Sequence, residues 1–368
     1  MPRKTNALTV AGPGEPFALT DVVLGDPRGD EVIVRVEAVG LCHSDIAVQQ
    51  GDFPFPLPGV LGHEGAGVVE VVGDRVTAVR PGDRVVLTFA SCGACPRCVA
   101  GVPSQCRSFL ERNFTGGGRP DGTTALEAAG AELHSHFFGQ SSFAGHALAT
   151  ERNAVRLDVD VDASLLAPLG CGVQTGAGAM LNVLRPASGA SVAVFGAGAV
   201  GLSAVMAAAL MPVENIIVVD VRETRLDLAR RLGATHVVNG REVDAVEALK
   251  DLTGGGPDVV LESSGNAAAF VQAVKCLTWG GTAGIVGVPA FGATAPVEIS
   301  DIVNDSKRIV GIVEGMSNPP LFLPRLAGFI ASGRFPIAEL VKTYPLAEID
   351  QAIADMKSGA TVKPVLIP

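Results

Sequence analysis

The stretch SVAVFGAGAVGLSAVMAAALMPVENIIVVD occupies residues 191–220 and determines how the middle of this chain folds. It opens with a short apolar run, Ser191–Phe195, of the kind that forms a buried strand. After a glycine-rich loop, the alanine-rich segment Val200–Met211 predicts a helix. A second apolar run, Ile216–Asp220, ends on an acid. Strand, loop, helix and strand in this order predict a βαβ unit with two parallel strands.

The loop between the first strand and the helix has the spacing G-x-G-x-x-G. Glycines there allow a tight turn and let a pyrophosphate approach the backbone at the helix N-terminus. Asp220, at the end of the next strand, would accept hydrogen bonds from ribose hydroxyls and repel a 2′-phosphate. The stretch therefore predicts NAD rather than NADP as a cofactor; a packing turn with a capping Asp is the alternative. The candidate cofactor residues in this stretch are Gly196, Gly198, Val200, Gly201 and Asp220.

Outside this unit the texture of the sequence changes along the chain. Short apolar strands and helices alternate up to about residue 312, which predicts a parallel, doubly wound α/β sheet. The first 90 residues alternate β-branched runs with Gly-Asp turns and predict an antiparallel, strand-rich region. Residues 111–145 are Gly-rich and polar and predict a long loop. The tail predicts helices near Pro324–Ser332 and Ala347–Ser358 and a final strand.

Length and charge limit the classes of protein to consider. With 368 residues the chain is long enough for two domains. Its net charge of −10 and the absence of a Lys/Arg cluster argue against nucleic acid as the main partner. Residues 186–213 carry no charge, but glycines and Pro212 interrupt them, so we expect no membrane span. The first residues do not resemble a secretory signal, and we expect a cytoplasmic protein with reduced cysteines.

Four of the seven cysteines lie within one short segment, at Cys92, Cys95, Cys98 and Cys106. Four thiolates at such spacing favour a structural Zn²⁺ with no open position. An iron–sulfur cluster is the strongest alternative, but its usual fourth step is x3 followed by Pro, whereas this chain has x7. A disulfide pair is the weaker alternative in a reducing compartment.

Three further residues, Cys42, His63 and Cys171, are far apart in sequence. Singly, each has a simpler interpretation, since the cysteines could be small buried side chains and the histidine could only be hydrogen-bonded. Acids near two of them, Asp45 and Glu64, could orient a ligand from behind. Two cysteines and one histidine with an open fourth position form a catalytic zinc set, and they are our candidates for it. The seventh cysteine, Cys276, has no such context and is expected in the core.

These motifs together resemble the zinc-dependent medium-chain alcohol dehydrogenase family. The stretches 40–45 (GLCHSD) and 62–67 (GHEGAG), the Cys92–Cys106 cluster, Cys171 and the Gly196–Gly201 loop follow in the order of that family. The resemblance covers essentially the whole chain and is closest to the aryl (benzyl) alcohol dehydrogenase branch. It implies a GroES-like, strand-rich catalytic domain from residues 1–172 and 313–368, with a Rossmann NAD domain, 173–312, inserted between them.

The resemblance also implies roles for individual residues. Cys42, His63 and Cys171 would bind the catalytic zinc, Asp45 would support His63, and Glu64 would lie behind the metal. Ser44 would accept the substrate proton, and Ala47 stands where related enzymes often have a relay histidine. Further cofactor contacts are expected from His43, Thr175, Arg225 and Lys363. Substrate-pocket residues are expected at Phe53, Thr88, Phe137 and Phe138, although ordinary core positions are an equal alternative for them.

The expected activity is the reversible NAD-linked oxidation of a primary alcohol, aromatic or allylic, to the aldehyde, with two zinc ions per chain. One alternative is a thiol-dependent formaldehyde dehydrogenase of the same family. Another is a non-catalytic protein that binds NAD and zinc with the same fold; a zinc-ribbon interaction module would explain only residues 92–106. The expected partners are the small-molecule alcohol or aldehyde and a second copy of the chain, paired through residues 291–312, with a tetramer as the further alternative.

Overall fold

The computed structural model describes residues 3–290 and 292–368, and the chain divides into two compact units. The first unit runs to Cys171 and also includes Asn318–Gly333 and Leu340–Pro368. The second contains Gly172–Ser317 and Arg334–Glu339. The expected domain boundaries stay a prediction; this division also places Arg334–Glu339 with the second unit.

The elements are numbered along the chain. The strands are β1 (Arg3–Val10), β2 (Ala18–Leu24), β3 (Glu31–Gly40), β4 (Gly59–Val60), β5 (Gly65–Val72), β6 (Arg84–Leu87), β7 (Leu126–Ala128), β8 (Ala131–Leu133), β9 (His146–Thr150), β10 (Ala154–Arg156), β11 (Ser191–Phe195), β12 (Asn215–Asp220), β13 (His236–Asn239), β14 (Val259–Glu262), β15 (Thr282–Ile285), β16 (Arg308–Gly311), β17 (Val341–Pro345) and β18 (Lys363–Ile367). The helices are α1 (His43–Gln50), α2 (Pro96–Val99), α3 (Ala163–Leu166), α4 (Gly172–Gly178), α5 (Ala199–Ala208), α6 (Glu223–Arg231), α7 (Ala245–Thr253), α8 (Ala267–Lys275), α9 (Ile299–Asn304), α10 (Pro319–Ala331) and α11 (Ile349–Ser358).

The second unit is built on a six-stranded sheet in the order β13-β12-β11-β14-β15-β16, with every neighbouring pair parallel. The order reverses at β11, as in a doubly wound dinucleotide-binding fold. Every residue of β11 is buried, which is why its sequence is continuously apolar rather than alternating. The predicted fold class of this region is therefore confirmed.

Helix α5 lies close to α4 because Gly176 of α4 has no side chain. A Cβ added at Gly176 of α4 would overlap with the backbone carbonyl oxygen of Val200 in α5. All seven residues of α4 are buried, and the most exposed of those with a stated value, Thr175, is 9% exposed. The contact therefore fixes the start of the glycine loop's helix against the segment that follows Cys171.

The first unit consists of two antiparallel-rich sheets. One has the order β4-β1-β2-β7-β8, and in the other β3 is the central strand, paired with β5, β9 and β18. The strand β18 runs antiparallel beside β3 and parallel beside β17, so residues far along the chain complete the sheet that contains β3. Buried aliphatic and Phe side chains from both sheets form one core.

Two predictions of local structure need correction. Residues 111–145 are not without regular structure, because β7 and β8 form a hairpin that extends the first sheet through β2. Its turn, Ala129-Gly130, has positive φ at both residues but lacks the Asn-Gly pair that would have marked it. Helix α10 begins at Pro319 rather than near Pro324, because proline is tolerated in the first turn of a helix, and Pro324 lies inside it.

Within the part of the chain that the structure describes, no helix is long and apolar enough to cross a membrane. The uncharged stretch at residues 186–213 forms β11, the glycine loop and α5 instead, as expected from its glycines.

The 111–145 segment is anchored to the central strand by a buried ion pair. Arg119 donates from Nε and Nη2 to the two carboxylate oxygens of Glu31 at 2.7 and 2.9 Å, and both side chains are buried. Arg119 also donates to the carbonyls of Thr124 and Asp26. Burial raises the pKa of Glu31, but the hydrogen bonds from Arg119 and from the Arg28 amide outweigh it, so the net shift is downward from 4.5.

We expect Glu31→Gln to lower the free energy of unfolding by about 2 kcal/mol at neutral pH, because a charge-assisted bidentate pair is lost. Since the folded-state pKa of Glu31 is depressed, this difference from wild type is full above pH 4.5 and disappears as pH falls through the folded-state pKa. Urea unfolding of both proteins between pH 3 and 7 measures it. Asp121→Asn, which breaks the exposed Arg28–Asp121 pair, is the control and should change little. A pH-independent difference for Glu31→Gln would contradict the electrostatic account.

Candidate active site

Three predicted metal ligands from distant parts of the sequence come together in the first unit. Cys42 is the residue just before α1, His63 lies between β4 and β5, and Cys171 follows a short turn ahead of α4. One ligand atom from each, together with a carboxylate oxygen of Glu64, all lie within 4.8 Å of one another. The structure thus brings together the set that sequence spacing alone could not join.

Asp45 holds two of these ligand-bearing loops. Its carboxylate is fully buried and accepts hydrogen bonds from the Cys42 amide at 2.9 Å, the Gly62 amide at 3.1 Å and Nδ1 of His63 at 3.0 Å. Because the Asp45 oxygen accepts here, Nδ1 of His63 carries a proton, which leaves Nε2 as the ring nitrogen that can bind a metal. Asp45 therefore orients the imidazole in the way that metal-binding histidines require.

The donor set fits a zinc ion with an open position. His63 Nε2 is buried without a hydrogen-bond partner in the described residues, which is costly unless a metal or another polar group completes it. Hydrogen bonding with Cys171 and the electrostatic effect of His63 and Lys363 outweigh burial and hold the pKa of the Cys42 thiol well below its ordinary value. Two sulfurs and one imidazole nitrogen match the Cys₂His sets of catalytic zinc sites.

Glu64 and Lys363 form a buried ion pair beside this cluster. Lys363 Nζ lies 2.6 Å from Glu64 Oε2 and donates to the carbonyl of Leu41 at 3.0 Å. Burial raises the pKa of Glu64 to about 7, against the lowering effect of the Lys363 ammonium. A Glu64 carboxylate oxygen lies within 4.8 Å of the other three ligand atoms, and its expected place behind the metal stays a prediction. Lys363 is committed to Glu64 and Leu41, so its predicted contact with the cofactor pyrophosphate is not supplied by this arrangement and stays a prediction.

The four clustered cysteines form a second set of metal ligands. Their sulfurs lie within 4.8 Å of one another; the Cys98 sulfur is 3.8 Å from that of Cys92 and 3.6 Å from that of Cys95. A tetrahedron of thiolates at a Zn–S distance of about 2.3 Å has edges of about 3.8 Å, so the geometry fits zinc. Backbone amides donate to these sulfurs, and those of Arg107 and Cys98 lower the pKa of the Cys95 thiol to about 6.

The predicted proton-relay residues lie in the first turn of α1. Ser44 is half-buried, and its Oγ is 4.0 Å from the Cys42 sulfur. His43 is exposed, and Ala47 is half-buried one turn further along. Ser44 is therefore the relay candidate that lies beside a metal-ligand atom.

The predicted substrate-pocket residues divide into two groups. Thr88 and Phe137 have no accessible surface, which favours the core alternative for these two, and their contact with substrate stays a prediction. Thr88 donates its hydroxyl to the Gly170 carbonyl at 2.8 Å, and Phe137 meets the His63 ring edge-on at 5.3 Å. Phe138 stacks on His63 at 4.2 Å, while Phe53 is only partly buried. For Phe138 and Phe53, substrate contact stays a prediction.

In the second unit, the glycine loop joins β11 to α5, and one of its glycines, Gly198, has free space beside it. Gly196 has a φ of +92°, which favours glycine, and a Cβ at Gly201 would overlap with the Gly196 carbonyl oxygen. A Cβ at Gly198, by contrast, meets no atom within 4 Å. The backbone at Gly198 therefore presents a free concave surface at the N-terminus of a ten-residue helix, which fits a pyrophosphate.

Asp220 stands at the end of β12 beside this loop. Its carboxylate accepts hydrogen bonds from the amides of Ala197 at 2.6 Å, Val221 at 2.7 Å and Arg222 at 2.9 Å. The acid thus holds the loop in place and remains half-buried at the carboxyl end of the sheet, where dinucleotides bind. Arg225 of α6 is buried nearby; burial and Arg222 lower its pKa, while Asp220 raises it.

Sequence reasoning missed Gln140, which is buried and hydrogen-bonded to the backbone carbonyl of His63. Its only signal was an amide side chain within the otherwise apolar, hydroxyl and glycine stretch Phe137–Gly145. A glutamine in such a setting must find several partners if it is buried, but the sequence does not say which.

Two family models match the chain. The alcohol dehydrogenase GroES-like domain matches residues 28–157, and the zinc-binding dehydrogenase model matches residues 199–328. The geraniol dehydrogenase of Castellaniella defragrans is 44% identical over 96% of this chain and 95% of its own length. The S-(hydroxymethyl)glutathione dehydrogenase of Escherichia coli is 34% identical over 99% of both chains. The crystal structure of benzyl alcohol dehydrogenase from Acinetobacter calcoaceticus is 43% identical over 99% of both chains, with a TM-score of 0.96.

Two single substitutions separate packing from cofactor binding in the glycine loop. Gly201→Ala is expected to destabilise the protein by about 1–3 kcal/mol, because the new methyl group overlaps with the Gly196 carbonyl. Gly198→Ala is expected to leave the melting temperature unchanged but to weaken NADH binding by about tenfold, because the methyl group fills the place of the pyrophosphate. Thermal unfolding and fluorescence titration with NADH measure the two effects. Unchanged NADH affinity in a folded Gly198→Ala protein would contradict the assignment of the loop.

Proposed function

This chain belongs to the zinc-dependent alcohol dehydrogenase family, and we propose that its substrates are primary alcohols whose hydroxymethyl group is attached to an aromatic ring or an alkene. The predicted family and its zinc and nicotinamide cofactors are confirmed. Its reaction is zinc-dependent alcohol dehydrogenation. The observation that carries the catalytic assignment is the buried Cys42–His63–Cys171 set, in which His63 Nε2 makes no hydrogen bond in the described residues.

When bound, zinc supplies a Lewis acid for the alcohol oxygen, and the nicotinamide supplies a hydride acceptor. Cys42, His63 and Cys171 would hold the metal, and Asp45 keeps the His63 lone pair directed at it. Ser44 Oγ, next to the Cys42 sulfur, would take the proton from the substrate hydroxyl. Ala47 has no group that can pass a proton on, so the exposed imidazole of His43 or water would carry it outward.

Support for NAD over NADP comes from Asp220. Its carboxylate at the end of β12 would accept hydrogen bonds from the ribose hydroxyls and would repel a 2′-phosphate. Arg222 and Arg225 follow within the next five residues, so the local charge alone does not decide the preference. A comparison of the two cofactors therefore belongs in the first experiment.

Support for aromatic and allylic substrates comes from two relatives of different specificity. One is named for benzyl alcohol and the other for geraniol, and both have the reacting carbon next to a π-system. Phe53 and Phe138, two of the predicted pocket residues, would offer aromatic contacts worth about 0.5–1.5 kcal/mol beyond simple burial.

The similarity to S-(hydroxymethyl)glutathione dehydrogenase keeps a second candidate, the oxidation of a formaldehyde–thiol adduct. That substrate would need cationic side chains to bind an anionic carrier. A non-catalytic protein with this fold is the third candidate, and the presence of both complete ligand sets argues against it.

We expect NADH formation with benzyl alcohol and geraniol to exceed that with ethanol by at least about tenfold in kcat/KM, because ethanol lacks the π-system and about 1.4 kcal/mol of contact corresponds to tenfold. NADP⁺ should be the poorer cofactor. A parallel assay tests the second candidate by measuring NADH formation from formaldehyde with and without added glutathione. Turnover only with the thiol adduct would favour the second candidate, and no turnover in protein holding two zinc ions per chain would contradict the proposal.

We further propose that the chain forms a homodimer through the edge of the parallel sheet. Strand β16 is the outer strand, and Ile309 within it is exposed, as is Trp279 at 80%. Ile299 and Val303 of α9 are also exposed, so this edge carries several large apolar side chains. An edge strand that meets its own copy across a two-fold axis satisfies its unpaired backbone groups and covers such side chains. Of the segment predicted to pair, Phe291 lies outside the described residues.

Light scattering should therefore give a mass of twice 37.5 kDa for the wild type. Ile309→Lys should yield monomers, because a charge on an edge strand opposes pairing with a second copy. Leu321→Lys, at an exposed apolar position on α10, is the control and should leave the dimer intact. A monomeric wild type would contradict this proposal without affecting the proposed reaction.

A further inference from the structure

The side chain of Gln140 uses all of its hydrogen-bonding capacity inside the first unit. Its Nε2 donates to the carbonyl of His63 at 2.9 Å and to the carbonyl of Thr88 at 3.3 Å. Its Oε1 accepts from the amide of Gly65 at 3.1 Å and from the hydroxyl of Ser142 at 2.9 Å. The residue is 2% exposed, so none of these bonds is exchanged for water. An amide with two donors and two acceptors satisfied has only one favourable orientation.

These bonds converge on the backbone that carries the metal ligands. His63 is itself a candidate ligand, and Gly65 begins β5 two residues later. Gln140 therefore forms hydrogen bonds with the backbone at His63 and at Gly65. The second donor bond reaches Thr88, whose own hydroxyl donates to the carbonyl of Gly170 at 2.8 Å. Gly170 immediately precedes Cys171, so one chain of hydrogen bonds links the His63 ligand to the Cys171 ligand.

From this geometry we infer that Gln140 is a positioning residue for the catalytic zinc: its amide sets the separation and direction of His63 and Cys171 through their backbones. The inference rests on the proposed function in that it takes the Cys42–His63–Cys171 set as the zinc site. Asp45 orients the His63 ring and the Cys42 loop, and it makes no hydrogen bond to Thr88 or Gly170. Gln140 supplies the connection to Cys171 that Asp45 lacks.

The chemistry of the amide explains why this residue type is suited to the place. A carboxylate at the same position would direct an oxygen at the carbonyls of His63 and Thr88, which is repulsive in a buried site. An apolar side chain of similar length would leave two carbonyls and the Gly65 amide without these partners. Both changes would loosen the ligand-bearing backbone without removing a ligand.

The loop that carries Gln140 is itself held firmly. The hydroxyl of the next residue, Ser141, donates to the Val60 carbonyl at 2.6 Å and accepts from the Phe137 amide at 3.0 Å. The final residues of the 111–145 segment are therefore fixed at β4, directly before His63. The position of this segment therefore affects the position of the backbone that carries His63.

The test compares Gln140→Met and Gln140→Glu with wild type in the full-length protein. Zinc content is measured first by elemental analysis, and the release of each zinc to a chelator is then followed in time. Both variants should release the catalytic zinc at least about tenfold faster than wild type, at the lower end of the 10–100-fold effects seen for residues that support metal ligands. Release from the four-cysteine site should not change. With Co²⁺ in the catalytic site, the absorption bands of the metal should shift, because they report the geometry of its ligands.

Asn113→Asp is the matched control. Asn113 is also a fully buried amide, and it bonds the backbone of Ala90 and Phe109, neither of which is a metal ligand. This variant should lower the melting temperature while catalytic zinc release and the Co²⁺ spectrum stay as in wild type. If the control changes both as strongly as the Gln140 variants do, the effect of Gln140 is general destabilisation and the inference is overturned.

A milder variant keeps the test decisive if neither Gln140 variant folds. Ser142→Ala removes one hydrogen bond to Oε1 and should speed catalytic zinc release severalfold. Wild-type release rates and an unchanged Co²⁺ spectrum in the folded variants would overturn the inference. A wild-type protein that binds only the four-cysteine zinc would instead contradict the proposed function, and the two failures are thereby distinguished.

Discussion

The arrangement of the first unit depends on a constraint that acts on every buried polar atom: away from water, it must find a partner within the protein or a bound group. The metal ligands lie at residues far apart in sequence, and buried polar side chains bring them together by meeting this constraint. Asp45 joins the Cys42 loop to the His63 loop, and Glu64 is paired with a lysine from the last strand. His63 Nε2, which makes no hydrogen bond in the described residues, lies within the ligand cluster. The site is thus a place where satisfied polar groups surround an unsatisfied one.

The second unit meets a different constraint, which is steric. Its central strand β11 is buried throughout, and the backbone must turn sharply after β11 without filling the space at the N-terminus of α5. Gly196 and Gly201 are required by the turn and by close packing, whereas the space at Gly198 is left free for something other than the protein itself. The three positions of one motif are therefore glycine for different physical reasons.

Much of this could be predicted from the sequence, wherever the signal was local. The loop at Gly196–Gly201 and the cluster at Cys92–Cys106 each lie within a few residues, and the structure folds both as their spacing suggested. Pairings between distant residues could not be predicted, because nothing in the neighbourhood of Arg119 or Gln140 names Glu31 or Thr88 as a partner. The interpretation of the phenylalanines was limited for another reason: pocket walls and cores use the same side chains, and only burial separates Phe137 from Phe53.

The pairing of β18 with β3 also bears on the order in which a newly synthesised chain can fold. The six strands of the parallel sheet lie between residues 191 and 311, so that sheet is complete in sequence well before the ribosome reaches the last strand. The first unit, although it begins at the N-terminus, needs Val365 and Leu366 beside Gly40 and Val39. Until Lys363 has been added, Glu64 lacks the ammonium that pairs with it in the folded protein. The first unit therefore begins before the parallel sheet in sequence and is completed after it, because the surroundings of its metal ligands include Lys363.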